Sequence, residues 1–202
     1  MISLGLTGSI GTGKSTTAQM FAEEGAAIWD ADAAVHRLYG PGGAAGAALE
    51  EDFHDAVRHD GSIDRVRLAA RVTRDPAAFE RLEEIIHPLA RADRFAFMAT
   101  VDADVVVCDI PLLFETALDL EFDATIVTTC PPQMQRRRVL ARKGMTEERF
   151  NALLARQMPD AEKQERASYV IVTDTPDHAR AQVREVLADV LVRYQKPENP
   201  DA

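Results

Sequence analysis

Residues 8–15 read GSIGTGKS, a match to G-x-x-x-x-G-K-[ST]. The apolar run ISLGLT (2–7) precedes it and the helix-like run TTAQMFAEEG follows it. Strand, glycine-rich loop and helix in that order make a cradle for phosphate. Gly8, Gly11 and Gly13 allow backbone angles and close approaches that a Cβ would block. Successive N–H groups then face phosphate oxygens at a helix N-terminus, where the field favours anions. The pattern assigns nucleotide contacts to Gly11, Thr12, Gly13, Lys14, Ser15 and Thr16. Lys14 supplies a point charge for the β- and γ-phosphates, and the Ser15 hydroxyl is a ligand for Mg²⁺.

A strand before such a loop demands a sheet to sit in. Four further apolar runs supply it: AAIW (26–29), DVVVCDI (104–110), ATIVT (124–128) and YVIV (169–172). Each is apolar at nearly successive positions, as strands covered on both faces are. The segments between them are long and helix-rich, as parallel crossovers require. The expected fold is α/β: a parallel five-stranded, doubly wound sheet of the phosphate-loop NTPase kind, with flanking helices. About seventy residues separate the second and third strands, far more than one crossover helix needs. The helical run Asp32–Tyr39 breaks at GPGG (40–43), and helical patterns resume at 64–72 and 76–98, with Pro88 expected to open a new helix. Residues 33–100 are therefore read as a helical insert. A second excursion, 136–166, is read as a lid; Thr146, followed by Glu147 and Glu148, marks a helix start within it. The remaining 1–32, 101–135 and 167–202 form the nucleotide-binding core. The last helix spans about Pro176 to Tyr194, and the tail KPENPDA is expected to fray.

The chain has 202 residues, a formal net charge of −10 and only two cysteines, Cys108 and Cys130. So acidic a balance argues against general nucleic-acid binding, so a polyanionic ligand must be held by local cationic clusters. The cysteines make no metal or disulfide spacing, and Cys108 sits in an apolar run as a core residue would. No window reaches about 18 apolar residues. The expectation is a cytoplasmic monomer with no nucleic-acid or membrane partner.

The loop alone does not separate a kinase from a regulatory GTPase or an ATP-driven module. A GTPase reads guanine with N-K-x-D after a late strand. The late strands here lead instead into TTCPP and TDTPD. An ATP-dependent binding module or motor stays open. Ligands of open α/β sheets sit beyond the carboxyl ends of the strands, where the second strand delivers IWDADAAVH (28–36). A carboxylate beside a γ-phosphate repels it unless it accepts a proton from an attacking hydroxyl. Asp32 is therefore either that base or the N-cap of the next helix, with His36 an exposed residue one turn on. DIPLLFE, leaving the third strand on the same rim, carries Asp109 and Glu115, and Glu115 is either a site residue or a surface-loop acid. Asp109 stands where a strand-end acid would hold Mg²⁺ or its waters. Arg138 and Arg142, spaced i,i+4 after the fourth strand, either close over a triphosphate or form a solvated basic face.

Taken together, LTGSIGTGKST, DADAAVH, DGSIDRVRLAARVTRDPAAFERLEEIIHP, DIPLLFE, RVLARKGMTEERF and RQMPDAEKQERASYVI make the chain similar to the dephospho-CoA kinases over nearly its whole length. The resemblance implies transfer of the γ-phosphate of ATP, with Mg²⁺, to the ribose 3′-hydroxyl of dephospho-CoA, the last step of coenzyme A formation. It implies Asp32 as the base, with Lys14 and Arg142 as the phosphate-stabilising cations. It also implies an acceptor pocket drawing on Asp32, His87, Pro111, Leu112 and Glu115. One departure stands out. Many members read A-D-x-V-I-x-N at the last strand, where this chain has ASYVIVT, with Ser168 and Thr173 at the differing positions.

Overall fold

A computed structural model describes residues 1–194; the tail KPENPDA lies outside the described residues. In chain order, β1 (Ile2–Gly8), α1 (Lys14–Glu23) and β2 (Ala27–Asp30) are followed by four helices: α2 (Ala31–Leu38), α3 (Ala44–Phe53), α4 (Arg65–Arg74) and α5 (Pro76–Thr100). Then come β3 (Val105–Asp109), β4 (Ala124–Thr129), α6 (Pro132–Leu140), α7 (Glu147–Leu154), α8 (Asp160–Arg166), β5 (Tyr169–Val172) and α9 (Pro176–Tyr194). The chain divides into two units, Met1–Trp29 with everything from Asp102 onward, and Asp30–Val101.

The strands form one parallel sheet in the order β2-β3-β1-β4-β5. β1 is central: Leu4 stands opposite Val107 of β3 on one side and Ala124 of β4 on the other. The chain leaves β1 toward one edge first and toward the other later. The crevice where such a sheet binds ligands therefore opens at the end of β1, where the phosphate loop begins. Leu4, Leu6, Val107, Ile126 and Ile171 are almost fully buried, joined by Phe21 of α1 and Val183 and Val190 of α9. Burial on both faces explains why the strand runs lack polar alternation. Cys108 is fully buried in β3, and both cysteines are free thiols.

The second unit has its own core, in which Leu38, Leu49, Phe53, Ile63, Leu68 and Ile86 are buried together. One expectation fails here, and one helix is added. Pro88 does not open a new helix; it lies inside the 25-residue α5. The missing N–H there forfeits one intrahelical bond, and α5 stays continuous because α2, α3 and α4 all pack against it. The helix α3 was not anticipated, since Gly46 interrupts an otherwise alanine-rich run. Gly46 is needed for space: a Cβ there would come within 2.1 Å of the Gly61 carbonyl oxygen. The buried Ala45, Leu49 and Phe53 recur at i, i+4 and i+8, one helical face.

The start of α2 settles the two aspartates. Asp30, extended at φ −109° and ψ 119°, is the N-cap, its carboxylate accepting from the Ala33 N–H at 2.8 Å. The capping reading of Asp32 is therefore corrected. Asp32 lies in the first turn, exposed, with its carboxylate not spent on the cap. The reason is the early turn of the chain, helical already at Ala31. Asp30→Ala should cost about 1 kcal/mol in urea unfolding. Asp32→Ala should stay within about 0.5 kcal/mol of the parent; equal losses from both would contradict this assignment.

Candidate active site

A phosphate cradle needs its amides turned inward, and in a planar trans peptide that means turning the preceding carbonyl outward. Four carbonyls of this loop, those of Ser9, Ile10, Thr12 and Gly13, each have a donor. Ser9 O accepts from the Thr12 amide at 3.1 Å and the Thr12 hydroxyl at 2.8 Å. Ile10 O accepts from Gln135 Nε2 at 2.9 Å, and Thr12 O from Thr173 Oγ1 at 2.6 Å. Gly13 O accepts from the Thr17 amide at 3.0 Å, opening α1. The N–H groups of Gly11, Gly13 and Lys14 are thereby left on the opposite side. The Ile10 amide is used differently, donating to Gln157 Oε1 at 3.1 Å. Gly13 sits at the α1 N-cap with φ 94°, a left-handed angle that disfavours a side chain. Gly8 is required for space, since a Cβ would lie 2.1 Å from Thr128 Oγ1.

Lys14 projects from this first turn and forms an ion pair with Asp109, the buried last residue of β3. The Ser15 and Thr16 side chains are exposed on the same turn. A cavity of about 350 Å³ adjoins them, lined among others by Gly13, Thr16, Arg138, Arg142, Thr173 and Pro176. The expectation that Arg138 and Arg142 share a helix is corrected: α6 ends at Leu140, so Arg142 stands beyond it. Thr146 does start α7, its hydroxyl accepting from the Arg149 amide at 3.3 Å. Both arginines still face one cavity, yet they are held differently. Arg138 is fixed, donating to Thr173 Oγ1 at 2.9 Å and to Thr173 O at 2.6 Å. Arg142 is exposed. Arg136 is taken by Glu147 at the start of α7.

The segment after β3 divides its residues by task. Pro111 O accepts from Thr7 Oγ1 at 3.1 Å, which holds the turn to β1. Leu112 is 40 % exposed, whereas Leu113 is fully buried. Glu115 pairs with Lys163 of α8 at 2.8 Å and accepts from the Met158 amide at 2.8 Å. Burial pushes the Glu115 carboxyl up, but the Lys163 ammonium and the Met158 N–H together hold it below its ordinary value. Glu115 thus bolts α8 to this segment. In the second unit, Asp32 lines a cavity described below, and His87 is exposed on α5 just before Pro88.

Sequence reading did not single out Gln135, Gln157 and Lys163, and it marked Thr173 only as a departure from the family pattern. No period or local motif marks them, because each acts through a contact distant along the chain. A lysine at a buried position is a signal only once burial is known. The two departures from the family pattern are also placed. Ser168 exchanges hydrogen bonds with Thr125, amide to hydroxyl in both directions at 3.1 Å. Thr173 supports the phosphate loop from behind.

The dephospho-CoA kinase family model matches residues 2–178. A dephospho-CoA kinase of Ruegeria pomeroyi is 53 % identical over 187 residues, covering 93 % of this chain and 94 % of its own. One from Cereibacter sphaeroides is 51 % identical over 187 residues, with the same coverage of both. Among solved structures, a Thermus thermophilus protein superposes with a TM-score of 0.82 at 33 % identity, covering 94 % of this chain and 97 % of its own. The dephospho-CoA kinase of Campylobacter jejuni gives 0.69 at 25 % identity, covering 93 % and 96 %.

The Glu115–Lys163 pair can be tested on its own. Side-chain exposure is 17 % for Glu115 and nil for Lys163, so Lys163→Met strands a carboxylate and should cost about 3 kcal/mol near neutral pH. A carboxyl held low when folded contributes stability above its unfolded value of about 4.3, and loses it as pH falls through the folded value. The gap between parent and variant in denaturant unfolding should therefore close below about pH 4. A gap that does not vary with pH would remove the charge from the account.

Proposed function

The chain belongs to the dephospho-CoA kinase family, and from that premise we propose that it transfers the γ-phosphate of ATP to the ribose 3′-hydroxyl of dephospho-CoA, yielding coenzyme A and ADP. The observation that carries the reading is the loop 8–15, four of whose carbonyls each have a donor, in a chain matched to that family over residues 2–178. ATP is the donor in this family. Its phosphates would lie on the amides of Gly11, Gly13, Lys14, Ser15 and Thr16, the Thr12 amide being spent on Ser9 O, and its base in the cavity walled by Thr173 and Pro176.

Phosphoryl transfer has a loose transition state, so catalysis is mostly positioning and charge neutralisation. Lys14 and Arg142 are the neutralising cations, and Arg142, exposed at the cavity, is the one free to follow the ligand. Asp32 orients the 3′-hydroxyl and takes its proton. Support for that role is its freedom from the cap and its place in a cavity. The segment 136–166 serves as the lid that excludes water. Pro111, Leu112 and His87 belong to the acceptor side, with Glu115 acting there through its hold on α8. The Ser15 hydroxyl and the Asp109 carboxylate are hard oxygen donors that fit Mg²⁺. When bound, the ion neutralises charge between the β- and γ-phosphates.

Among the described residues no helix is long and apolar enough to cross a membrane. The proposed site draws every residue from one chain, and the reading is of a cytoplasmic monomer acting on two small molecules.

ADP release should depend on dephospho-CoA and not on a panel of nucleosides and sugars; stimulation only by another acceptor would overturn the reading. In the same assay Asp32→Asn should lower kcat by about 10²- to 10⁴-fold with the KM for ATP little changed. Lys14→Ala should abolish turnover. Arg142→Ala should lower kcat without lowering Tm, and an unchanged kcat would take Arg142 out of the mechanism.

A further inference from the structure

The cavity that Asp32 lines, about 450 Å³, is built wholly within the second unit. Tyr39 and Arg65 line it as well, and Leu68, Ala69 and Val72 of α4 give it an apolar wall. Asp32 and Tyr39 are seven residues apart on α2 and its C-cap, hence on one face and about 10 Å apart along the axis. Asp32, the proposed base, and Tyr39 therefore mark two ends of one helix face that lines the cavity. At the Tyr39 end, the Arg65 guanidinium lies 5.4 Å from the centroid of the Tyr39 ring. Burial raises the Tyr39 phenol above its ordinary value, against the lowering pull of Arg65. Asp32 and Arg65 are the only ionisable carboxylate and guanidinium among the residues lining the cavity.

We propose that Arg65, stacked on Tyr39, binds the 5′-diphosphate of the acceptor and so sets acceptor specificity. The inference rests on the kinase reading above and extends it to a residue that reading does not use. The Arg65 guanidinium lies over the Tyr39 ring, and its planar fork of N–H donors matches two phosphate oxygens at once. The aromatic contact fixes the side chain before the ligand arrives, so less rotamer freedom is lost on binding. The acceptor must bring its 3′-hydroxyl to Asp32. Its diphosphate, on the 5′ side of the same ribose, then extends along the cavity toward Arg65. The aliphatic wall of α4 suits the uncharged arm beyond the diphosphate, and the single cation explains how a chain of net charge −10 holds an anionic acceptor here.

A contact made equally in ground state and transition state changes KM and leaves kcat alone. Arg65→Ala should raise the KM for dephospho-CoA by about 10- to 100-fold, the loss of a charge-assisted pair. Its kcat should stay within about twofold and its KM for ATP should not move. Arg65→Lys should fall between, since the ammonium keeps the charge and loses the fork. Ala69 is exposed on α4, so Ala69→Glu should fold normally, and a carboxylate there should raise the same KM. Parent and variants would be compared by steady-state kinetics with thermal melts alongside. An unchanged KM for dephospho-CoA in both Arg65→Ala and Ala69→Glu would overturn the proposal, as would a loss in kcat alone or an equal rise in the KM for ATP. A parent chain inactive on dephospho-CoA would instead overturn the kinase reading, so the two failures are told apart.

Discussion

Thr173, the residue just after β5, carries four hydrogen bonds at once. Its hydroxyl donates to Thr12 O and accepts from Arg138, its carbonyl accepts from Arg138, and its amide donates to Thr129 O. It also crowds position 13, where a Cβ would stand 3.0 Å from Thr173 Oγ1 in addition to meeting the left-handed φ of 94°. The loop between β1 and α1 is thus shaped from outside. Strand β5 sets Thr173, Thr173 sets the Thr12 carbonyl, and the peptide plane then sets the Gly13 amide. A cradle of backbone dipoles is useful only if they are oriented before the phosphate arrives, and this support sits 161 residues away in sequence.

The same principle recurs around the loop. Gln135 of α6 and Gln157 after α7 hold Ile10 from its two sides, carbonyl and amide. Asp160, at the start of α8, accepts from Thr129 Oγ1 at the end of β4. Lys163 fixes Glu115. Side chains from 132–166 therefore build part of the frame around the loop. Arg138 and Arg142 illustrate the division: one is locked to the frame, the other stands beyond the end of α6.

Much of this was legible in the sequence, for identifiable reasons. Strands buried on both faces announce themselves as apolar runs, and the phosphate loop needs residue types so unusual that GSIGTGKS is diagnostic. Asp32 was legible as a candidate, but not its release from capping, because that depends on whether the helix begins at residue 31 or two residues later. Pro88 misled because local propensity is a weak term against packing on three neighbouring helices. The Tyr39–Arg65 stack was hidden altogether: 26 positions separate the two, and only the fold of the second unit brings the guanidinium over the ring.

The cap at Asp30 has a geometric consequence for Asp32. A helix advances about 100° per residue, so the residue that fixes where α2 begins also fixes the azimuth of every side chain on it. Asp30 acts as the zero mark of that dial. Inserting or deleting one residue between the two aspartates would leave both carboxylates in the chain and a well-capped helix behind them. It would nevertheless rotate one carboxylate by more than a quarter turn, away from the cavity face it shares with Tyr39. The alternation D-A-D is in this sense an angular setting: the spacing decides which carboxylate caps the helix and which one lines the cavity.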